Sequence, residues 1–409
     1  MKLDPQKHLW LQDAAATALF KAFPEGSLRF VGGCVRNALM GYAVGDIDFA
    51  TQLEPLAMME ALNKAKIKYA ETGLSHGTLT AVIKGTPYEI TSLRRDVETD
   101  GRRAVVSFTT DWAEDAQRRD LTVNAVYADP TGELFDPTGE GLADINDGRL
   151  RFVGDASERI KEDYLRLLRY FRFVAWYGGD APLDKEALTA SRDLQRGLKT
   201  LSAERVWSEL KKLLLAPDPS RAVRIMSQQG VLETLLPEAS NAQGLELYVQ
   251  LEQREDIAPD PLARLMAMSA RDSLQIARLA KRLKMSKVET GRLRAWAEDD
   301  AVLDPYAQER ESAQTLYKSG KTVVIDRARI RAAGEPDVIL SAHWIRLAEF
   351  AHRWTRPDFP LTGKDLQVAG VEAGPKMGRA MKALEALWVR SGFTADKDKL
   401  LTALKMFGL

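Results

Sequence analysis

Strand-type patterning stops near residue 155 of this 409-residue chain and does not return. Before that point short apolar runs alternate with glycine, proline and aspartate breaks. After it, ERIKEDYLRLLRYFRFVAWYG, KEALTASRDLQRGLKTLSAERVWSELKKLLL and the later segments keep a 3.6-residue apolar period built from good helix formers. A sheet must therefore be completed in the first third of the chain, and everything beyond must pack helix on helix. The fold class is α+β: a head with a mixed β-sheet and helices, followed by an all-α remainder.

Within the first third, LRFVGG (28–33) predicts a strand ending in two glycines, and CVRNALMG (34–41) a helix closed by Gly41. DIDFAT (46–51) predicts a strand, and EPLAMMEALNKAKI (54–67) a helix with Pro55 in its first turn. TLTAVIKG with PYEITSL, and TVNAVYAD with GELFDP, predict two hairpins. Residues 96–116 begin polar and glycine-containing, which predicts a loop ahead of a strand at VVSF. The opening twenty residues carry acids and no apolar stretch, so they read as an amphipathic helix and not as a signal peptide.

The overall charge is zero, yet it is unevenly spread. Residues 1–150 hold 16 Lys+Arg and 22 Asp+Glu, leaving a balance of −6 there and +6 in the rest. A metal-dependent head fused to a polyanion-binding body would show this asymmetry, and so would two ordinary domains of opposite charge. A length of 409 residues with 45% hydrophobic content excludes a single small module and a disordered chain. No apolar run approaches the ~18 residues of a membrane span, so no membrane partner is expected. The single cysteine, Cys34, excludes an internal disulfide framework and fits a reducing, cytoplasmic setting.

Three constellations carry chemistry. In the first, GGCVRN…GDIDFA, alternate strand positions place Asp46 and Asp48 on one face, about 6–7 Å apart at Cα, close enough to share Mg²⁺. Gly32 and Gly33 at a strand-to-helix turn let backbone N–H groups approach a triphosphate, and Arg36 follows one turn later. Each half alone reads equally as a tight turn or a solvated edge; together they point to a nucleotidyltransferase. In the second, RRDLTVNA, Arg119, Asp120 and Asn124 form either a surface cluster or a phosphate and ribose clamp. In the third, EDYLRLLRYFRF, a continuous helix would put Asp163 beside Arg166, with Arg169 and Arg172 along the same ridge. A carboxylate accepts from an exocyclic amino group and a guanidinium donates to a ring nitrogen or carbonyl, so this pair would accept C and A and reject U and G. An ordinary surface helix with a Glu162–Arg166 pair would carry the same residues.

In this order and spacing the motifs resemble the class II tRNA nucleotidyltransferase and poly(A) polymerase family, and within it the CCA-adding branch. The resemblance is carried by GGCVRN and DID, HGTLTAVI, EITSLRRD, DGRR…VSFTTDW, RRDLTVNA, FDPTGEGLADI, RFVGDASERIKEDYLRLLRYFRF and LSAERVWSELKKLL; it is strong over 28–215 and weaker beyond. It implies template-independent addition of C, C and A to the 3′ end of tRNA from CTP and ATP, with Mg²⁺ as cofactor and release of pyrophosphate. Asp46 and Asp48 would hold the metal. Gly32, Gly33 and Arg36 would cradle the triphosphate, and Arg119 foremost in its motif would touch the nucleotide. Asp163 and Arg166 would face the base, with Arg169 and Arg172 supporting the pocket and opening the RNA grip. The segment Asp100 to Arg103 resembles the family's flexible element. The implied division is a catalytic head over 1–148, a base-recognition neck over 149–205, and a body (206–300) and tail (301–409) for the tRNA acceptor and T arms. Asn37 stands where the family usually has Asp, Glu89 is a candidate third carboxylate, and His76 is expected to organise a turn. An A-adding-only enzyme or a poly(A) polymerase would share most of these motifs; a non-catalytic RNA-binding protein would not need them intact. Oligomeric state is not legible.

Overall fold

The computed structural model describes residues 2–100 and 103–406, with side chains described everywhere in that range except at 75 and 96–106. The chain divides into two compact units, 1–237 and 238–409.

The first unit contains all the strands among the described residues: β1 (Leu28–Val31), β2 (Asp48–Thr51), β3 (Lys68–Gly73), β4 (Thr78–Ile83), β5 (Thr86–Ser92), β6 (Arg94–Asp100), β7 (Arg103–Phe108), β8 (Tyr127–Ala128) and β9 (Leu134–Phe135). Seven form one mixed sheet in the order β3-β4-β5-β2-β1-β8-β9, in which only β2 and β5 run parallel. Phe30, Phe49, Leu79 and Ile90 are fully buried on one face, which is why β1, β2, β4 and β5 hold a fixed register. Against the sheet and beyond it lie α1 (Ala14–Ala22), α2 (Gly33–Leu39), α3 (Pro55–Lys64), α4 (Trp112–Gln117) and α5 (Gly141–Asp147), then α6 (Ala156–Glu162), α7 (Leu165–Tyr177), α8 (Lys185–Leu194) and α9 (Ala203–Leu214). Helix α9 packs on α7.

The expected hairpins are present. The β4–β5 turn places Lys84 (φ 51°) and Gly85 (φ 86°) both in the left-handed region, as a two-residue turn matched to strand twist requires. Four expectations need correction. The opening residues are not one helix: a 3₁₀ turn at Leu9–Gln12 precedes α1. The expected loop ahead of VVSF is instead a second sheet, the antiparallel ribbon β6–β7, with Arg94 opposite Phe108 and Asp100 opposite Arg103. Gly101 and Arg102, at the centre of the segment likened to a flexible element, lie outside the described residues. The RRD motif does not enter a strand; it runs into a 3₁₀ turn, Thr122–Asn124. Asp46 sits in a bend ahead of β2 and not in the strand.

The second unit is all helix among its described residues, ten helices between Ala242 and Met406. Lys321–Ala333 and Val338–Arg353 pack along each other over Leu316, Val324, Ala328, Leu347 and Ala351. A separate core gathers Tyr317, Leu366, Leu384, Trp388, Leu400 and Leu404. Trp344 and Trp354 pack partly buried against these helices, as expected of core aromatics. No helix among the described residues is long and apolar enough to cross a membrane.

Candidate active site

The site is built at the end of β1 and β2. Gly32 has φ +72° between β1 and α2, a backbone that only glycine adopts without strain. A Cβ there would stand 3.9 Å from Arg119 Nη1, and one at Gly33 would stand 3.8 Å from Arg36 Nη2. The two missing side chains thus leave an approach to two guanidinium groups. Arg36 is buried, and its direct hydrogen-bond acceptors are neutral: Asn124 Oδ1 at 2.5 Å, Asn37 Oδ1 at 2.8 Å and the Tyr177 hydroxyl at 2.8 Å. It also stacks on the rings of Tyr177 and Phe173. Burial pulls its pKa down, partly offset by Tyr177. Asn37 therefore keeps the contact to Arg36 that a carboxylate would make, without neutralising it, and its Nδ2 donates to Ala43 O at 2.9 Å.

Asp48 opens β2, with Glu89 beside it in the parallel register. Burial, then Glu89, then Asp46 push its carboxyl up to about 6, and Arg119 only partly opposes them. Asp46 itself is exposed, which suits a group that must reach a solvated ligand. Cys34, beneath the glycines, is buried and donates to Val31 O; burial pushes its thiol up to about 11, so it is a packing residue and no nucleophile.

Two carboxylates on the other side of the site have the opposite surroundings. Asp120 accepts from Asn124 Nδ2 at 2.9 Å and from Arg169 Nε at 2.7 Å. Asp115, on α4, accepts from Arg118 Nη2 at 2.6 Å, Arg119 Nη2 at 2.9 Å and the Tyr127 hydroxyl at 2.7 Å. Burial alone would raise both carboxyls, but Arg169 holds Asp120, and Arg119 with Arg118 hold Asp115, well below the usual carboxylate range. One unbroken chain of hydrogen bonds results: Ala43, Asn37, Arg36, Asn124, Asp120 and Arg169 link the loop bearing Asp46 to α7.

The third constellation is bent. Helix α6 ends at Glu162 and α7 starts at Leu165, so Asp163 and Arg166 do not share a continuous helix face; Asp163 is extended (φ −154°, ψ 106°). It caps α7 instead, Oδ1 accepting from Leu165 N at 3.1 Å, while Oδ2 accepts from Arg205 Nη2 at 2.6 Å. The two remain local neighbours, since Arg166 N donates to Asp163 O at 2.9 Å. Arg166 donates through Nη1 to Glu162 and through Nη2 to Arg118 O at 3.1 Å, leaving Nε out of these bonds. Arg172 pairs with the buried Glu209 of α9. Arg166, Arg169 and Arg172 are each paired with a carboxylate of their own unit, which suits a rigid pocket wall. Tyr170, Phe171 and Phe173 are core. His76 lies in a 3₁₀ turn and offers its carbonyl to Arg94.

Asp115, Tyr177, Arg205 and Glu209 escaped the sequence reading. For Asp115 a signal existed, an acid three and four residues before Arg118 and Arg119 on a short helix; for the others the partners are distant in sequence.

Among proteins of known kind, the poly A polymerase head domain matches residues 28–151. An RNA- and SrmB-binding region of polymerase A matches 182–243, and tRNA nucleotidyltransferase domain 2 matches 262–404. The chain is 36% identical to mouse mitochondrial CCA tRNA nucleotidyltransferase 1 over 92% of its own length and 86% of the mouse protein. It is 31% identical to the CCA-adding enzyme of Streptococcus sanguinis over 87% of both. The crystal structure of the Bacillus stearothermophilus CCA-adding enzyme in complex with CTP superimposes with a TM-score of 0.76, covering 100% of this chain and 98% of that one at 27% identity. With the glycine turn, the paired aspartates and the bent Asp163–Arg166 segment in one unit, and with kinship running over nearly its whole length, the chain belongs to the CCA-adding tRNA nucleotidyltransferases of the poly(A) polymerase family.

Proposed function

We propose that this chain adds C, C and A to the 3′ end of tRNA from CTP and ATP, without a nucleic-acid template and with release of pyrophosphate. One observation carries the reading: the hydrogen-bond chain from Asn37 through Arg36, Asn124 and Asp120 to Arg169 joins the phosphate-facing turn to the base-facing helix in a single rigid frame. In that frame Gly32, Gly33, Arg36 and Arg119 receive the triphosphate. The Asp163 carboxylate accepts from the exocyclic amino group that C and A share and repels the carbonyl oxygen of U and G. Arg166, through Nε, donates to the same edge. Arg169 and Arg172 keep the wall in place through Asp120 and Glu209.

The donor set fits Mg²⁺: Asp46 and Asp48 are hard oxygen ligands, and no group of three or more ligating side chains forms a cage among the described residues. Mg²⁺ characteristically takes one or two carboxylates and completes its shell with water and substrate phosphates. Bound there, it would lower the pKa of the attacking 3′-hydroxyl and stabilise charge on the phosphorus and the departing pyrophosphate. Glu89 would add a third negative charge at the metal's edge.

For the finer organisation we keep 1–148 as head, 149–205 as neck, 206–300 as body and 301–409 as tail. The body and tail grip the acceptor and T arms through phosphates and A-form shape, with the basic excess of 17 Lys+Arg over 13 Asp+Glu lying in the tail. The buried, disulfide-free Cys34 supports a reducing compartment, and we take this to be the cytoplasm.

The test offers purified protein three RNAs, a tRNA lacking the whole terminal triplet, a tRNA ending in CC and a generic RNA, each with labelled CTP or ATP. The expected result is CTP and then ATP incorporation on the first, a single A on the second and none on the third. Activity on the second alone would make it an A-adding enzyme; long tails on generic RNA would make it a poly(A) polymerase.

A further inference from the structure

We propose that Arg205 sets nucleotide choice, as a positioning residue acting through Asp163. The proposal rests on the reading of Asp163 as the group that meets the base.

A carboxylate discriminates an amino group from a carbonyl only while it stays ionised and keeps a fixed direction; sites of this kind need positions held to about 0.5 Å and 10–20°. Asp163 has little to fix it locally. It sits at the break between α6 and α7, outside any helix, and the terminal torsion of an aspartate is soft. Two hydrogen bonds compensate, one from the main chain two residues on and one from α9. Leu165 N holds Oδ1, and Arg205 Nη2 holds Oδ2 at 2.6 Å, so rotation of the carboxylate would break one or both. Each oxygen retains a lone pair for the base.

The arrangement separates this role from simple adhesion of α9. Helix α9 carries a second contact one turn on, where Glu209 pairs with Arg172 in a nearly closed environment, side chains 5% and 15% exposed. The Arg205–Asp163 pair is about one-third exposed, 33% and 27%. Glu209, together with buried Val206, Trp207 and Leu210, seats the helix. Loss of Arg205 should therefore leave the fold in place and free the carboxylate.

The experiment compares wild type, Arg205→Met, Asp163→Ala and the double variant in single-nucleotide incorporation on a tRNA lacking its terminal triplet, reading the ratio of kcat/KM for CTP to that for UTP. Melting temperature and tRNA affinity are followed in parallel. Arg205→Met should lower the ratio about tenfold or more, the effect of one bond to a charged group. It should melt within about 3 °C of wild type, as loss of a part-exposed pair predicts, and bind tRNA as wild type does. Arg205→Lys should recover part of the ratio. In the Asp163→Ala background, Arg205→Met should change the ratio no further. An unchanged ratio in Arg205→Met beside a collapsed one in Asp163→Ala overturns the proposal and spares the reading beneath it. Independent, multiplying effects in the double variant also overturn it, as does a loss confined to tRNA affinity. An unchanged ratio in Asp163→Ala overturns both. If Arg205→Met does not fold, Arg205→Gln replaces it with the same outcomes.

Discussion

Asp48 and Asp120 belong to one unit, both face a site rich in charge, and their surroundings drive them in opposite directions. Asp48 sits with Glu89 and Asp46, like charges with only Arg119 in opposition, and its carboxyl rises to about 6. Asp120, like Asp115, is enclosed by arginines and amide donors and falls well below the usual range. The difference separates a carboxylate crowded by like charges, proposed above to hold a metal, from carboxylates whose cation is already part of the fold. The first kind is costly to the protein alone and useful with a metal; the second holds Arg119 and Arg169 at fixed positions and is spent on architecture.

The sharpest way to break the comparison is at the metal end. On the proposed metal role, Asp48→Asn removes one of two metal carboxylates, and incorporation of CTP and ATP should fall by about 10³-fold or more in a quench assay, with tRNA binding near normal; retained turnover would place the metal elsewhere. At the arginine end the loss should appear as unfolding. Asp115→Asn leaves Arg118 and Arg119 facing each other without their carboxylate, and denaturant titration should show a loss of about 3 kcal/mol. A variant as stable as wild type would mean that the arginines find solvent.

The smallest effect tests the sign of both ends at once. Asp115 and Asp120 have folded pKa values below the unfolded value of about 3.9. Their stabilisation is complete above that value and is lost as pH falls through the folded ones. Asp48, raised to about 6, works the other way: the folded protein binds its proton more readily than the unfolded chain does. In chelator-treated protein its contribution should improve, by about 1–2 kcal/mol, as pH falls from 7 toward 4. Melting curves of Asp48→Asn should lack this gain and lie above wild type at pH 7. A variant that melts lower than wild type at pH 7 would show that Asp48 is not strained by its neighbours.

The contrast also explains what was legible in the chain. The Gly32–Gly33 turn, α3 with Pro55, the β4–β5 hairpin and the helical second unit follow from local pattern, because each depends on neighbours in sequence. The errors fell where composition hides a local pairing or where distant contacts decide. The polar stretch after Arg94 looks like a loop, yet it forms β6 and β7 by pairing with itself. The segment around Asp163 has an unbroken helical period, yet the helix stops there, where Asp163 turns to cap α7 and Arg205 of α9 takes its other oxygen. The arginines at 166, 169 and 172 share a spacing that suggests an open cationic ridge, and their acceptors lie at Glu162, Asp120 and Glu209.

Residue types and spacing alone determined the α+β division, the glycine turn between β1 and α2, the Asp46 and Asp48 pair as a candidate, and the family. Those features need only short-range geometry or a fixed set of chemical groups. Tertiary structure decided which charges are free. Whether an aspartate is strained or satisfied, and whether an arginine is left for a ligand or held by the fold, depends on side chains up to 141 positions apart, as in Arg36 with Tyr177. Burial strengthens each of those pairings, and no pattern along the chain records it.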